Sequence, residues 1–111
     1  MRVISRKKLR EFWQEHQEAE KSLQDWFKRS SKARWATFAD VRATIASADQ
    51  VGRLTVFDIG GNKYRLIAFL DFMRGRVYVR SVLTHKDYDK EEWKKDESAS
   101  PPKKKRPKGK S

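Results

Sequence analysis

The apolar positions change period midway along the chain, dividing it into a helical half and a strand half. Val3 and Ile4 make a short apolar pair within MRVIS that reads as a first strand feeding into a helix, with Ser5 as its N-cap. Leu9, Phe12, Trp13 and His16 follow at helical spacing. After a polar break at 16–18, Ala19, Leu23, Trp26 and Phe27 predict a second helix over 19–29, stopped by the SSK at 30–32. The break favours an αα-hairpin, with one long helix as the alternative. Phe38, Val41 and Ile45 share one side of a third helix over 36–46, and SADQVG reads as a loop ending at Gly52.

From Arg53 onward the period is that of strands. LTVFDI is the first of them, and GGN at 60–62 is a tight connection in which glycines accept positive φ. KYRLIAFLDF is apolar on both faces through 66–70, which predicts a central strand covered on both sides over its middle. Met73-Arg74-Gly75 is the next turn and RVYVRSVL the third long strand. Short successive loops imply an antiparallel meander. THKDYDKEEWKK then opens a helix capped by Thr84 or a nearby Asp and carries Tyr88 and Trp93. The fold class is α+β: N-terminal helices packed on a small antiparallel sheet, with a short C-terminal helix. Residues 1–95 form one domain. Residues 96–111 offer only charge, Ser, Pro and Lys and are expected to be a disordered basic tail.

Composition adds charge to this picture. The formal net charge is +12, and residues 103–111 hold six positive charges and no negative ones, which leaves +6 on residues 1–102. Basic character is therefore a property of both body and tail, and a polyanion is the natural partner: RNA, DNA, the ribosome or an acidic protein. With no cysteine, disulfides and thiolate zinc sites are excluded. No apolar run approaches the ~18 residues of a membrane span, and no secretory signal is legible, so a cytoplasmic setting without a membrane partner is expected.

His16 and His85 are the only histidines, and neither has a carboxylate pair at metal-ligand spacing, so neither metal nor cofactor is expected. Strand alternation places Lys63 and Arg65 on one face, and on the neighbouring strand it places Arg80 with Tyr78 and Val82. Arg65 has two readings of similar weight: a guanidinium paired with Asp58 or Asp71, or a fork for phosphate. His85, at the end of a strand and followed by Lys86, Asp87, Tyr88 and Asp89, can exchange a proton near neutrality, or can simply be a surface or cap residue. RNA carries its own nucleophile in the 2′-OH. Its cleavage needs a base, an acid and cations for the crowded phosphate. Arg, Lys, His and Tyr suffice for that, and equally for binding without turnover.

IGGNKYRLIAFLDF and YVRSVLTHKDYD, after a helical N-terminus, resemble the HigB toxins of bacterial type II toxin–antitoxin pairs, within the RelE-like superfamily. The resemblance spans residues 1 to about 95 and is strongest over GGN-x-x-R and THK-[DE]-YD. It implies a ribosome-dependent, metal-independent endoribonuclease that cuts translated mRNA until a cognate HigA-like helix-turn-helix antitoxin binds it. The free toxin is then expected to be a monomer that meets operator DNA only through the antitoxin complex. By the same resemblance Arg65 would hold the scissile phosphate, and His85 and Lys86 would share proton transfer or charge stabilisation. Tyr88 would stack on the substrate or donate to it. Lys63 would be an adjacent phosphate contact, with Asn62 shaping the turn and Arg80 a weaker contact. The alternative from a different class is a non-catalytic basic module that binds RNA or DNA.

Overall fold

A computed structural model describes residues 1–61 and 63–90. Asn62, Trp93, the end of the expected domain at 91–95 and the tail at 96–111 therefore lie outside the described residues. The chain runs β1 (Arg2–Ile4), α1 (Arg6–Glu15), a 3-10 turn at Gln17–Ala19, α2 (Glu20–Lys32), α3 (Phe38–Thr44) and β2 (Asp49–Val51). It continues through β3 (Leu54–Ile59), β4 (Tyr64–Asp71), β5 (Arg76–Thr84) and α4 (His85–Asp89). The α+β architecture is as expected, and the two N-terminal helices are separate. None of the described helices is long and apolar enough to cross a membrane.

The five strands lie in the order β1-β5-β4-β3-β2, so β4 is central, as its continuous apolar run requires. β2 to β5 form the antiparallel meander, whereas β1 pairs parallel with β5 and makes the sheet mixed. Two boundaries differ from those the sequence suggests. α2 runs on through Ser30 to Lys32, because Ser30 is fully buried and packing overrides the weak stop signal of two serines. SADQVG is only partly a loop: Asp49–Val51 pairs with Val56, Thr55 and Leu54 as an edge strand whose outer side is polar.

α3 is shorter than its apolar spacing suggests, because Thr37 starts it. The Thr37 hydroxyl accepts from the Asp40 amide while the Asp40 carboxylate accepts from the Thr37 amide at 3.2 Å, a reciprocal capping box. At its other end Trp35 Nε1 donates to Thr44 Oγ1 at 3.0 Å. The Met1 ammonium donates to the Ala33 carbonyl and ties the first strand to the end of α2.

Alternation along the strands divides the interior in two. Phe57, Ile59, Tyr64, Leu66, Ala68, Leu70, Val77 and Val79 meet Leu9, Leu23, Trp26, Trp35 and Val41 from the helices. The opposite face carries a smaller cluster of Leu54, Val56 and Ile67, edged by Val51, Phe69, Leu83 and Tyr88. Among the described residues α4 is the helix that folds back over that second face, and Leu54, Val56 and Ile67 are buried there.

Candidate functional site

The open face of the sheet ends in a cation between two partners. Arg65 sits on β4 directly opposite Asp58 of β3 in the register, and its Nε lies 3.2 Å from Asp58 Oδ1. Its Nη1 donates to the Tyr64 carbonyl at 3.3 Å. The guanidinium carbon stands 5.1 Å from the centre of the Tyr88 ring, within cation–π range. An ion pair across the strands, a backbone acceptor and an aromatic face together define the plane of the guanidinium. The Arg65 side chain is only 11% exposed, so little water screens these contacts.

α4 exists because β5 ends at a cap. The Thr84 hydroxyl accepts from the Asp87 amide at 3.2 Å, which starts the helix at His85 and turns Tyr88 back onto the second apolar cluster. His85 marks where the ladder stops: its amide donates to the Lys63 carbonyl at 3.1 Å. Its Nδ1 lies 3.1 Å from Asp89 Oδ2, one helical turn on. When the imidazole is neutral this contact places the proton on Nδ1 and leaves the Nε2 lone pair outermost, the tautomer that can accept a proton from a ligand.

Among the residues singled out from sequence, Arg65 and Tyr88 are in contact, and His85 is three residues before Tyr88 on the same helix. Lys86 is an exposed residue of that helix. Lys63 goes elsewhere. It lies in the turn before β4, not in the strand, so alternation does not govern it. Its Nζ is 3.7 Å from Glu18 Oε1, and Glu18 also accepts from Tyr64 Oη at 2.8 Å. Tyr64 belongs to the helix-covered core, so Lys63 and Arg65 serve opposite faces. The hydrogen bond from Tyr64, then the Lys63 charge, hold the Glu18 carboxyl below its ordinary value, while burial and then Glu18 push the Tyr64 phenol up.

The expected grouping of Tyr78, Arg80 and Val82 also breaks. A bulge shifts the register between Ile67 and Ala68, which pair with Ser81 and Val79, so Arg80 is the extra residue. Tyr78 then faces Phe69 on the open side, ring centres 6.3 Å apart, while Val82 packs against the helix-covered core. The Arg80 carbonyl accepts from Lys8 Nζ at 3.0 Å. A charged residue inside an alternating strand gives no sequence signal for a bulge.

A cavity of ≈ 390 Å³ opens beside Arg65 and Tyr88. Its other walls are Asp58, Val56, and the segment from Arg42 to Asp49 that carries the chain from α3 into β2. Sequence reasoning assigned nothing to this segment, because Arg42 and Ser47 look like ordinary solvated positions on a helix and a loop. A larger cleft of ≈ 670 Å³, between α2 and the β3–β4 turn, shares Ala46, Ser47 and Asp58 with it but contains none of Arg65, His85 or Tyr88. The smaller cavity is thus the one that adjoins a composed set of reactive groups: a fixed guanidinium, a phenol and carboxylates, with an oriented imidazole on the adjoining helix.

A family model described as HigB_toxin, the RelE-like toxic component of a toxin-antitoxin system, matches residues 19–91. Among curated relatives, the mRNA interferase toxin HigB of Escherichia coli K12 is 28% identical over 92 residues, covering 80% of this chain and 88% of the relative. The mRNA interferase HigB of Escherichia coli O6:H1 is 25% identical over 93 residues, covering 81% and 90%. The family match begins after α1 and spans all of the sheet except β1, together with the helix that holds His85 and Tyr88.

Proposed function

Since the chain belongs to the HigB family of RelE-like toxins, we propose that it is the toxin of a type II toxin–antitoxin pair and an endoribonuclease that cuts mRNA on the ribosome. The observation that carries this reading is Arg65, fixed by Asp58 and stacked on Tyr88 at the mouth of a cavity, with an oriented His85 on the same helix as Tyr88. The names of its relatives, which are mRNA interferases, agree with it.

In this mechanism the substrate's own 2′-OH loses its proton and attacks the neighbouring phosphorus, and the bond from phosphorus to the 5′-oxygen breaks. The products are a 2′,3′-cyclic phosphate and a 5′-hydroxyl that takes up a proton; no metal is required. The Arg65 guanidinium faces the scissile phosphate and stabilises the charge that accumulates on its oxygens. His85 Nε2 takes or returns a proton, with Asp89 holding the imidazole in the competent tautomer. Tyr88 fixes the guanidinium and offers an aromatic face to a base. Lys86 contributes positive charge from the exposed side of α4. Lys63 and Arg80 stand outside the cavity lining. The partners are translated mRNA in the cytoplasm and a HigA-like helix-turn-helix antitoxin that meets operator DNA in the complex.

The test is induced expression with mapping of message ends, comparing wild type with Arg65→Ala and His85→Ala. New 5′ ends within translated messages are expected for wild type and for neither variant. Growth arrest with unchanged message ends would refute the nuclease assignment.

A further inference from the structure

Asp58 sets a problem for phosphate binding at Arg65: the guanidinium already has a carboxylate 3.2 Å away, so the pair as a whole carries no net charge. Asp49 lines the same cavity and adds a further negative charge. A polyanion entering here must be drawn by another group. On the cavity wall the remaining cation is Arg42, which is exposed and has no hydrogen-bond or ion-pair partner among the described residues.

Arg42 is presented by a fixed element. Its neighbour Val41 is fully buried, the Thr37–Asp40 capping box starts the helix, and the Trp35–Thr44 hydrogen bond secures its end. Beyond Thr44 the chain passes through Ala46 and Ser47 to Ala48, 2% exposed, and enters β2 beside β3. That path carries the chain from the helix-covered side to the edge of the sheet, where β2 pairs with β3. It sets Arg42 and Arg65, 23 residues apart in sequence, on the walls of one ≈ 390 Å³ cavity, a volume within the ~300–1,000 Å³ usual for small-molecule sites.

We propose that Arg42 is a substrate-binding residue that holds the RNA phosphate adjoining the one at Arg65, so that the cavity grips one nucleotide through the phosphates on both its sides. The proposal rests on the RNA-cleaving reading above and extends it: recognition is of a nucleotide flanked by two phosphates, with Tyr88 beside its base. Arg42 makes the approach electrostatically favourable, while Arg65, preorganised by its carboxylate, is kept for the reacting phosphate.

Two small probes separate these roles. The full-length protein is titrated calorimetrically at low salt with adenosine 5′-monophosphate and with adenosine 3′,5′-bisphosphate. Wild type is expected to bind the bisphosphate about 10-fold more tightly, the scale of one added charge-assisted contact. Arg42→Ala should lose that preference while retaining the monophosphate affinity, and Arg65→Ala should lose affinity for both. Arg10→Ala, on exposed α1 surface, removes the same charge elsewhere and should keep the preference. A melting curve for each variant confirms folding. A preference that survives Arg42→Ala, that is absent from wild type, or that disappears equally in Arg10→Ala overturns the proposal. If Arg65→Ala still abolishes monophosphate binding in those cases, the reading of Arg65 stands. A wild type that binds neither probe overturns the proposal, and the message-end experiment then decides the nuclease reading separately.

Discussion

The two faces of the sheet are built from the same strands and put to opposite uses. On the helix-covered face Phe57, Leu66 and Val77 are fully buried, and Phe57 meets the rings of Trp26 and Trp35 at 5.4 and 6.4 Å. On the other face the apolar cluster has three buried members and gives way, toward one end, to Arg65, Asp58 and Tyr88. A small domain has few residues with which to build a core. Here the core is concentrated on one side, and that leaves the other side able to hold charge, a cavity and a ligand. In the proposed reading stability and chemistry are thereby separated by the alternation of single strands: Leu66 supports the fold and Arg65, its neighbour, faces the cavity.

The sharpest way to break this division is to make a cavity on each face in turn. Phe57→Ala removes a ring with no exposure and is expected to cost about 3–5 kcal/mol. Phe69→Ala, on the half-exposed open face, should cost about 1 kcal/mol, the scale of partial burial. Urea unfolding of the two variants measures the gap, and equal losses would mean that both faces carry the fold.

Arg65→Ala tests the division from the other side. Cleavage should fall by about 100-fold or more, as for loss of a group that stabilises transition-state charge, whereas stability should fall by about 1–2 kcal/mol, the worth of a charged hydrogen bond. Message cleavage and a thermal melt on the same preparation give both values. A loss of stability as large as that of Phe57→Ala would make the Arg65–Asp58 pair structural and leave the site without its central cation.

How much of this division the sequence reveals depends on how each part is encoded. β3, β4 and β5 are legible because their apolar runs are long, and α4 because Thr84 is a cap. β2 is not, since Asp49 and Gln50 are exposed and only hydrogen bonding to Thr55 and Val56 makes the segment a strand. Arg65 and its pairing with Asp58 can be anticipated from the hairpin through GGN, because cross-strand opposition follows from the turn. Lys63 is misplaced by the same reasoning, which counts alternation one residue beyond the strand. Arg42 is invisible to it: nothing in the pattern of α3 says that the following four residues carry the chain to the edge of the sheet beside Arg65.

Tyr88 separates stacking from proton donation. Tyr88→Phe keeps the ring over Arg65 and should retain cleavage to within about threefold, while Tyr88→Ala should lose about 10-fold, the range of a partly desolvated cation–π contact. Single-turnover cleavage of a message on ribosomes would measure both. If Phe is as damaging as Ala, the phenol itself supplies or accepts a proton, and the acid–base assignment moves from His85 toward Tyr88.

The smallest effect belongs to the helix-covered face, at Glu18. Its carboxyl is held below the ordinary value of 4.5 by the Tyr64 hydroxyl and then by Lys63. A carboxylate with a depressed folded pKa stabilises the protein fully above its unfolded value, and the contribution disappears as pH falls through the lower folded value. Melting temperatures measured from pH 7 down to pH 3 should therefore decline more steeply for wild type than for Glu18→Gln. The difference will be slight because the Glu18 side chain is 66% exposed and solvent screens it. Cleavage at neutral pH should be unchanged, since Glu18, Tyr64 and Lys63 lie on the side of the sheet away from the proposed site. If Glu18→Gln alters cleavage while the acid limbs of the two melting profiles coincide, Lys63 is part of the RNA site and the separation of faces fails at that turn.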